Sequence, residues 1–228
     1  MLTGKERWMP SSKSEILQRI SQANTSQSNG VRTQSTLIGT APLGKEESGL
    51  GRDDLVKLFI ERVEDYRSTM VEIGTDALAS SFESVLSKID APRGLDTICV
   101  STPLMSLFSN TVAGFQIAHP DQLTLNDYNT KVLGTLTSCA VGLATSGTII
   151  FNSSDDEAPP ISTLVPDHLF VVINESQIVP DIVGAITAHD IGRPLTMVSG
   201  PSATSDIELA RVEGVHGPRN LTVFVLRQ

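Results

Sequence analysis

The sequence has little of several residue types on which particular functions depend. Its 228 residues include only two cysteines, Cys99 and Cys139, which are too few for a disulfide framework and too far apart for a CxxC motif. They are also too few for an iron–sulfur cluster or a Cys-rich zinc site. No apolar run approaches the roughly 18 residues of a membrane span, and the first ten residues lack the apolar stretch of a signal peptide. We therefore expect a reduced, cytoplasmic protein without a membrane segment.

Basic residues are also scarce. The chain has 17 Lys and Arg against 26 Asp and Glu, a formal net charge of −9. Neutralising a phosphate backbone requires clustered Lys and Arg, and no such cluster occurs, so nucleic-acid binding is not expected. Aromatic residues make up only 4%, but 39% of the residues are hydrophobic. The chain can therefore bury a core, built mainly of aliphatic side chains.

The composition divides the chain in two. Residues 12–22 have the pattern of a short helix, with Ile16, Leu17 and Ile20 on one face. Residues 23–50 are polar and interrupted by glycine, which predicts an extended arm or flexible linker. We therefore predict a helical arm over residues 1–50 and one α/β domain over residues 51–228.

Regular periodicity begins at Asp53, which is the expected N-cap of a helix bearing Leu55, Phe59 and Val63 at helical spacing. A short strand follows, and Asp76 is expected to cap a second amphipathic helix. Strands and helices then alternate, and several strands are continuous apolar runs, which is typical of strands covered on both faces. This pattern predicts an α/β fold with a mostly parallel open sheet and helices on both faces.

Three familiar catalytic motifs are incomplete in this sequence. A P-loop-like segment, residues 39–46, ends in Glu46 where a Ser or Thr must bind magnesium. A segment similar to a nucleophile elbow has Thr204 where the tight turn after Ser202 requires Gly. The four histidines show no HExxH motif or close Cys/His pairing. No metal site and no cofactor are therefore predicted.

The region after residue 195 is dense in polar and turn-forming residues. A buried strand ends at Ser199, and a loop rich in hydroxyl groups and glycine returns as the last apolar strand. In parallel α/β sheets, ligands sit outside the carboxyl ends of the strands, where loop N–H groups bind anions. We therefore predict a site for an oxyanion or carboxylate at that edge. Its candidate residues are Gly200, Ser202, Thr204, Asp206, Glu208, His216 and Arg219.

A purely structural interpretation of this region stays open. The hydroxyl groups then satisfy backbone groups in two turns, Asp206 pairs with Arg219, and His216 caps a carbonyl. A second candidate patch, Ser146, Gly147 and Thr148, has small residues before a buried strand. These permit close approach by a ligand, although tight packing explains them equally well.

Several segments together resemble one known family. Residues 199–202 with Thr204, residues 206–208 and residues 214–218 are similar to the signature of the LUD-domain family, lactate-utilisation protein C type. Residues 14–20, 146–148 and 178–181 are also similar to segments of that family.

The resemblance implies a parallel-sheet fold of the phosphosugar isomerase and CoA-transferase superfamily (NagB/RpiA/CoA transferase-like). It also implies a bacterial cytosolic role, as a non-redox subunit that works with iron–sulfur partner proteins in oxidising L-lactate to pyruvate. The alternative is an enzyme or sensor for a small anionic metabolite, such as a phosphosugar, hydroxy acid or acyl-CoA. The chain departs from the family pattern at Thr145 and Ala203, which leaves a decayed or altered site as a third interpretation.

Overall fold

A computed structural model describes residues 49–188, 194–204, 212–213 and 216–227. The predicted N-terminal helix and nearly all of the predicted arm lie outside the described residues. In the described part of the chain, no helix is long and apolar enough to span a membrane. The α-helices are α1 (Arg52–Asp65), α2 (Leu78–Leu86), α3 (Thr102–Met105), α4 (Leu125–Thr130), α5 (Pro160–Leu164) and α6 (Ile182–Ala188). The strands are β1 (Thr69–Gly74), β2 (Thr97–Val100), β3 (Thr111–Val112), β4 (Phe115–Ala118), β5 (Val132–Ser138), β6 (Val141–Leu143), β7 (Thr148–Phe151), β8 (His168–Asn174), β9 (Ile178–Val179), β10 (Thr196–Val198), β11 (Ala203–Thr204), β12 (Val212–Glu213) and β13 (Asn220–Arg227).

The main sheet has seven strands in the order β1-β13-β8-β5-β2-β4-β3. Its strand pairs are parallel except for the edge pair β3–β4. The last strand of the described chain, β13, lies between β1 and β8, where Thr222 is level with Thr69 on one side and with Phe170 on the other. The predicted α/β class and mostly parallel sheet are therefore confirmed.

Both faces of this sheet are covered, which explains the continuous apolar runs. Successive residues of β8 and β13 enter two different clusters. Leu169 and Val223 pack with α1 on one face, and Phe170 and Phe224 pack with α2 on the other. The sheet is the middle layer of the domain.

A second sheet completes the layer on the α1 side. It has four strands in the order β10-β7-β6-β9, and both pairs that involve β7 are antiparallel. The single open sheet predicted from the sequence does not include this second sheet. The structure ends β5 at Ser138 and starts β6, a strand of the other sheet, at Val141.

Both predicted helix caps differ from the observed ones. The N-cap of α1 is Gly51, and Asp53 lies in the first turn, where its carboxylate pairs with Arg227. An acid there still interacts favourably with the positive end of the helix dipole. Asp76 lies in a 3₁₀ turn, Thr75–Ala77, that leads into α2.

Candidate functional site

A chain of three hydroxyl groups joins the two candidate patches. The Oγ1 of Thr148 lies 2.7 Å from the Oγ of Ser146 and 2.8 Å from the Oγ of Ser199. The antiparallel pairing of β7 with β10 brings these residues together. The sequence predicted both patches but not that they meet.

Two glycines allow the turns before β7 and after β10 to lie directly on the C-terminal end of α1. Gly147 has a φ of +60°, and a Cβ there would lie 2.7 Å from the backbone carbon of Arg62. Gly200 has a φ of +83°, and its Cβ would approach the Cβ of Tyr66 more closely than 3.0 Å. Close packing against α1 thus accounts for both glycines, in line with the structural interpretation of this patch.

Two hydrogen bonds at Ser202 connect parts of the segment between β10 and β13, which we call the tail. The N–H of Ser202 donates to the carbonyl oxygen of Pro218 at 2.8 Å, and its Oγ accepts from the N–H of His216 at 3.2 Å. Ser202 and the backbone of His216 therefore lie side by side.

A cavity of about 290 Å³ opens between this tail and α5. Gly200, Ser202 and His216 line it, whereas the hydroxyl groups of Ser146 and Thr148 do not. Its walls are otherwise mainly apolar, with Leu164 and Met197 about half exposed at 45% and 53%. Thr204 lies in β11, directly after Ala203, which lines the cavity. Asp206 and Glu208 lie outside the described residues. The structure brings only part of the predicted site together.

Arg219 is bound by a residue that the sequence did not single out. Its Nε and Nη2 donate to the two carboxylate oxygens of Asp167, at 2.5 and 2.9 Å. Asp167 directly precedes β8 and Arg219 directly precedes β13. The ion pair thus joins the amino ends of two neighbouring strands.

The sequence analysis predicted a site at the carboxyl ends of the strands, and this position is therefore wrong. The tail leads into β13, so Ser202, His216 and Arg219 lie at the amino ends of β8 and β13, not at carboxyl ends. The reason is that β10, the strand before the tail, belongs to the second sheet. The loop after β10 leaves the carboxyl end of a strand in the second sheet and reaches the amino ends of strands in the main sheet.

A larger cavity, of about 570 Å³, also lies at the amino ends of these strands, on the α2 side of the sheet. We call it the serine cleft, because Ser80, Ser81 and Ser84 of α2 line one wall. Across from α2 it is lined by Arg67, Thr69, His168, Arg219, Asn220 and Thr222. Of these residues the sequence had indicated only Arg219. The signal that was available is the run of serines on the polar side of an amphipathic helix.

His168 lies half-buried where the serine cleft meets β8. Its ring stacks on Phe170, with the ring centres 5.8 Å apart. Burial lowers the pKa of His168 from its ordinary value of 6.5, because the charged ring is poorly solvated there. Asp167 opposes this shift and Arg219 adds to it. The neutral ring is therefore favoured in the folded state.

This pKa predicts a loss of stability in weak acid. The unfolded chain binds a proton near pH 6.5 and the folded chain binds it only at lower pH, so the free energy of unfolding falls as the pH drops through 6.5. In His168→Phe, which keeps a ring over Phe170, this part of the pH dependence disappears. Urea unfolding of both proteins between pH 7.5 and 5.5 measures it. If the free energy of unfolding falls equally steeply with pH in the variant, His168 is not the cause of this pH dependence.

The hydroxyl chain predicts a smaller effect on stability. Thr148→Val keeps the shape of the buried side chain but removes its hydrogen bonds to Ser146 and Ser199, and should cost about 1 kcal/mol of unfolding free energy. Thr111→Val, at an exposed position of β3, is the matched control and should change stability by less than about 0.5 kcal/mol. Chemical denaturation measures the unfolding free energy of both variants. If both lose the same amount, the three linked hydroxyl groups do not stabilise the fold.

Fold and site together define an α/β protein in which the tail and both cavities described above lie at the amino ends of parallel strands. The sequence model of the LUD domain matches residues 57–226. The chain belongs to the LUD-domain family.

Named relatives agree with this assignment. The chain is 33% identical to lactate utilization protein C of Deinococcus radiodurans over 78% of this chain and 82% of that protein. It is 35% identical to lactate utilization protein C of Bacillus subtilis, over 36% of this chain and 38% of that protein. The crystal structure of a DUF162 family protein from D. radiodurans matches with a TM-score of 0.59 at 25% identity, covering 78% of this chain and 99% of that one. The resemblance inferred from the sequence motifs is confirmed.

Proposed function

We propose that this protein is a non-redox subunit of a bacterial L-lactate utilisation system, and that it works with iron–sulfur partner proteins that oxidise lactate to pyruvate. The observation that carries the proposal is the 33% identity to a lactate utilization protein C over most of both chains. Family membership over residues 57–226 adds to it.

The state of the cysteines supports a role beside a cluster-carrying subunit. Cys99 and Cys139 are both buried in the core. Burial raises the pKa of both thiols above the ordinary value, which keeps them protonated. Metal ligation requires the thiolate, and two thiols are too few for a cluster. This supports the proposal that the iron–sulfur clusters belong to partner chains.

Growth on lactate tests the pathway. Deletion of the gene from its host bacterium should abolish or strongly slow growth on L-lactate as sole carbon source and leave growth on pyruvate unchanged. The intact gene should restore growth. Unchanged growth of the deletion strain on lactate refutes the proposed role.

Affinity capture tests the partners separately. The tagged full-length chain, purified without oxygen from lactate-grown cells, should carry proteins that contain iron and acid-labile sulfide. The same capture from cells in which the tag alone is expressed is the control. If growth depends on the gene but no iron or sulfide is captured, the pathway stands and the iron–sulfur partnership is wrong.

A further inference from the structure

The serine cleft has the opposite charge from the protein as a whole. Arg67, Lys88 and Arg219 line it together with His168, and none of the lining residues is acidic in the described part of the chain. The full sequence, in contrast, carries a net charge of −9. A cavity lined by one sign of charge concentrates ions of the other sign. The cleft therefore favours an anion.

Two of these cations are available to a ligand. Arg219 is held by Asp167, so its charge is largely compensated. The side chains of Arg67 and Lys88 form no ion pair with any of the described residues. Both are exposed at the mouth of the cleft. They stand on different elements, Arg67 between α1 and β1 and Lys88 just after α2, so an anion between them is contacted from two sides.

The wall formed by α2 adds neutral donors. Within the described residues, the hydroxyl groups of Ser81 and Ser84 make no hydrogen bond. Ser84 and Lys88 are four residues apart on α2 and its final turn, so they share one side of the helix. With the forked donors of Arg67, the cleft offers more N–H and O–H groups than the two oxygens of a carboxylate accept. A tetrahedral phosphate, with three terminal oxygens, matches this supply better.

The cleft also has an apolar side. Val71 of β1, and Val85 and Ile89 on α2 and the segment after it, line it between the polar groups. Its volume of about 570 Å³ lies within the roughly 300–1,000 Å³ of small-molecule sites, which bury most of an organic ligand. An inorganic anion leaves this apolar lining in contact with water.

The backbone of Arg67 shows a further special feature. Its φ is +65°, in the left-handed region that costs a residue with a Cβ roughly 1 kcal/mol or more. Its N–H donates to the carbonyl oxygen of Glu64 at 2.7 Å, so the turn after α1 holds this conformation. The turn places Arg67 just before β1, where it lines the cleft together with the serines of α2.

We propose that the serine cleft binds an organic phosphate monoester with an apolar, ring-sized body, whose phosphate lies between Arg67, Lys88 and the serines of α2. The apolar body lies on Val71, Val85 and Ile89. This inference does not rest on the role in lactate utilisation.

Calorimetric titration of the full chain with phenyl phosphate tests the ligand class. Phenyl phosphate should bind saturably with one site. Benzoate should bind at least tenfold more weakly, because it lacks the third terminal oxygen, and inorganic phosphate at least tenfold more weakly, because it leaves the apolar lining uncovered. Equal affinity for phenyl phosphate and inorganic phosphate refutes an organic ligand. Equal affinity for benzoate refutes the preference for phosphate, and no heat of binding with phenyl phosphate overturns the proposal.

Two variants locate the site. Lys88→Gln should weaken phenyl phosphate binding about tenfold, the usual effect of losing a charge-assisted hydrogen bond. Lys57→Gln, an exposed position of α1 outside the cleft, is its control and should bind as the unaltered chain does. Ser84→Leu should weaken binding at least tenfold, because it replaces a hydroxyl donor of the phosphate by a larger apolar side chain. Ser87→Leu, the same change at an exposed position outside the cleft, should not. Unweakened binding by both cleft variants places the ligand elsewhere and overturns the proposal.

Discussion

Replacing Gly200 by alanine should lower the free energy of unfolding by about 2–5 kcal/mol. A positive φ costs an alanine roughly 1–2 kcal/mol, and Gly200 has a φ of +83°. The added Cβ also overlaps the Cβ of Tyr66 and approaches its Cγ to 3.1 Å. Forcing an extra carbon into a packed contact adds about 1–3 kcal/mol. Urea denaturation followed by circular dichroism measures the loss.

Gly114→Ala separates the two causes. Gly114 has a similar φ, +88°, but no atom lies within 4 Å of its Cβ position. It should therefore lose only the backbone contribution, about 1–2 kcal/mol. Tyr66→Gly removes the opposing Cβ and should restore part of the stability lost in Gly200→Ala. If the two glycine variants are equally stable, the close packing of the tail on α1 is not what requires glycine at position 200.

Truncation of Phe82 to alanine should cost about 4 kcal/mol, within the range of roughly 3–5 kcal/mol typical of buried Phe. The ring is fully buried, and its edge or face meets three other rings. The ring centres of Phe108, Phe170 and Phe224 lie 5.4, 5.2 and 6.0 Å away. Because Phe170 and Phe224 belong to central strands, Phe82, the largest buried side chain of α2, anchors this helix on the sheet. Urea denaturation measures the loss.

Phe108→Ala is the matched control for this prediction. Phe108 meets the same cluster from its border and is only partly buried. Its truncation should cost about 2 kcal/mol, in proportion to the smaller apolar area that it removes from water. A Phe82→Ala protein no less stable than Phe108→Ala contradicts the anchoring role.

The hydrophobic pattern was sufficient to predict α1 and the strands that are covered on both faces. In α1 the spacing of Leu55, Phe59 and Val63 places all three on the buried face. The apolar runs of β8 and β13 require a partner layer on each side, and that alone indicates central strands of a covered sheet. These inferences depend on local periodicity, which a single sequence contains.

The second sheet was not predictable in the same way. Thr148–Phe151 is buried along its whole length, as are the central strands of the main sheet. A short apolar run gives no information on whether its neighbours are parallel or antiparallel, or to which layer it belongs. Strand pairing is settled by contacts between residues far apart in the chain.

The same limit explains the error in the site. The hydroxyl-rich tail was recognised from its composition. Whether it lies at the amino or the carboxyl ends of the strands depends on the pairing of β10. Asp167 and Arg219, which are 52 residues apart, carry no shared motif. The serine cleft was missed because its polar residues lie on α2, β1, β8, β13 and the turns next to them, and the run of serines on α2 does not show which other segments it faces.

The position of β13 has a consequence for biosynthesis. In the described sheet β1 pairs with β13, so β1 leaves the ribosome early and stays without its neighbour until the final strand has been made. Contacts between distant segments form slowly, and unpaired strand edges associate with other chains in the meantime. The nascent protein is therefore at risk of aggregation from the emergence of β1 until β13 has been made. Lower growth temperature or additional chaperone during expression should raise the yield of native protein.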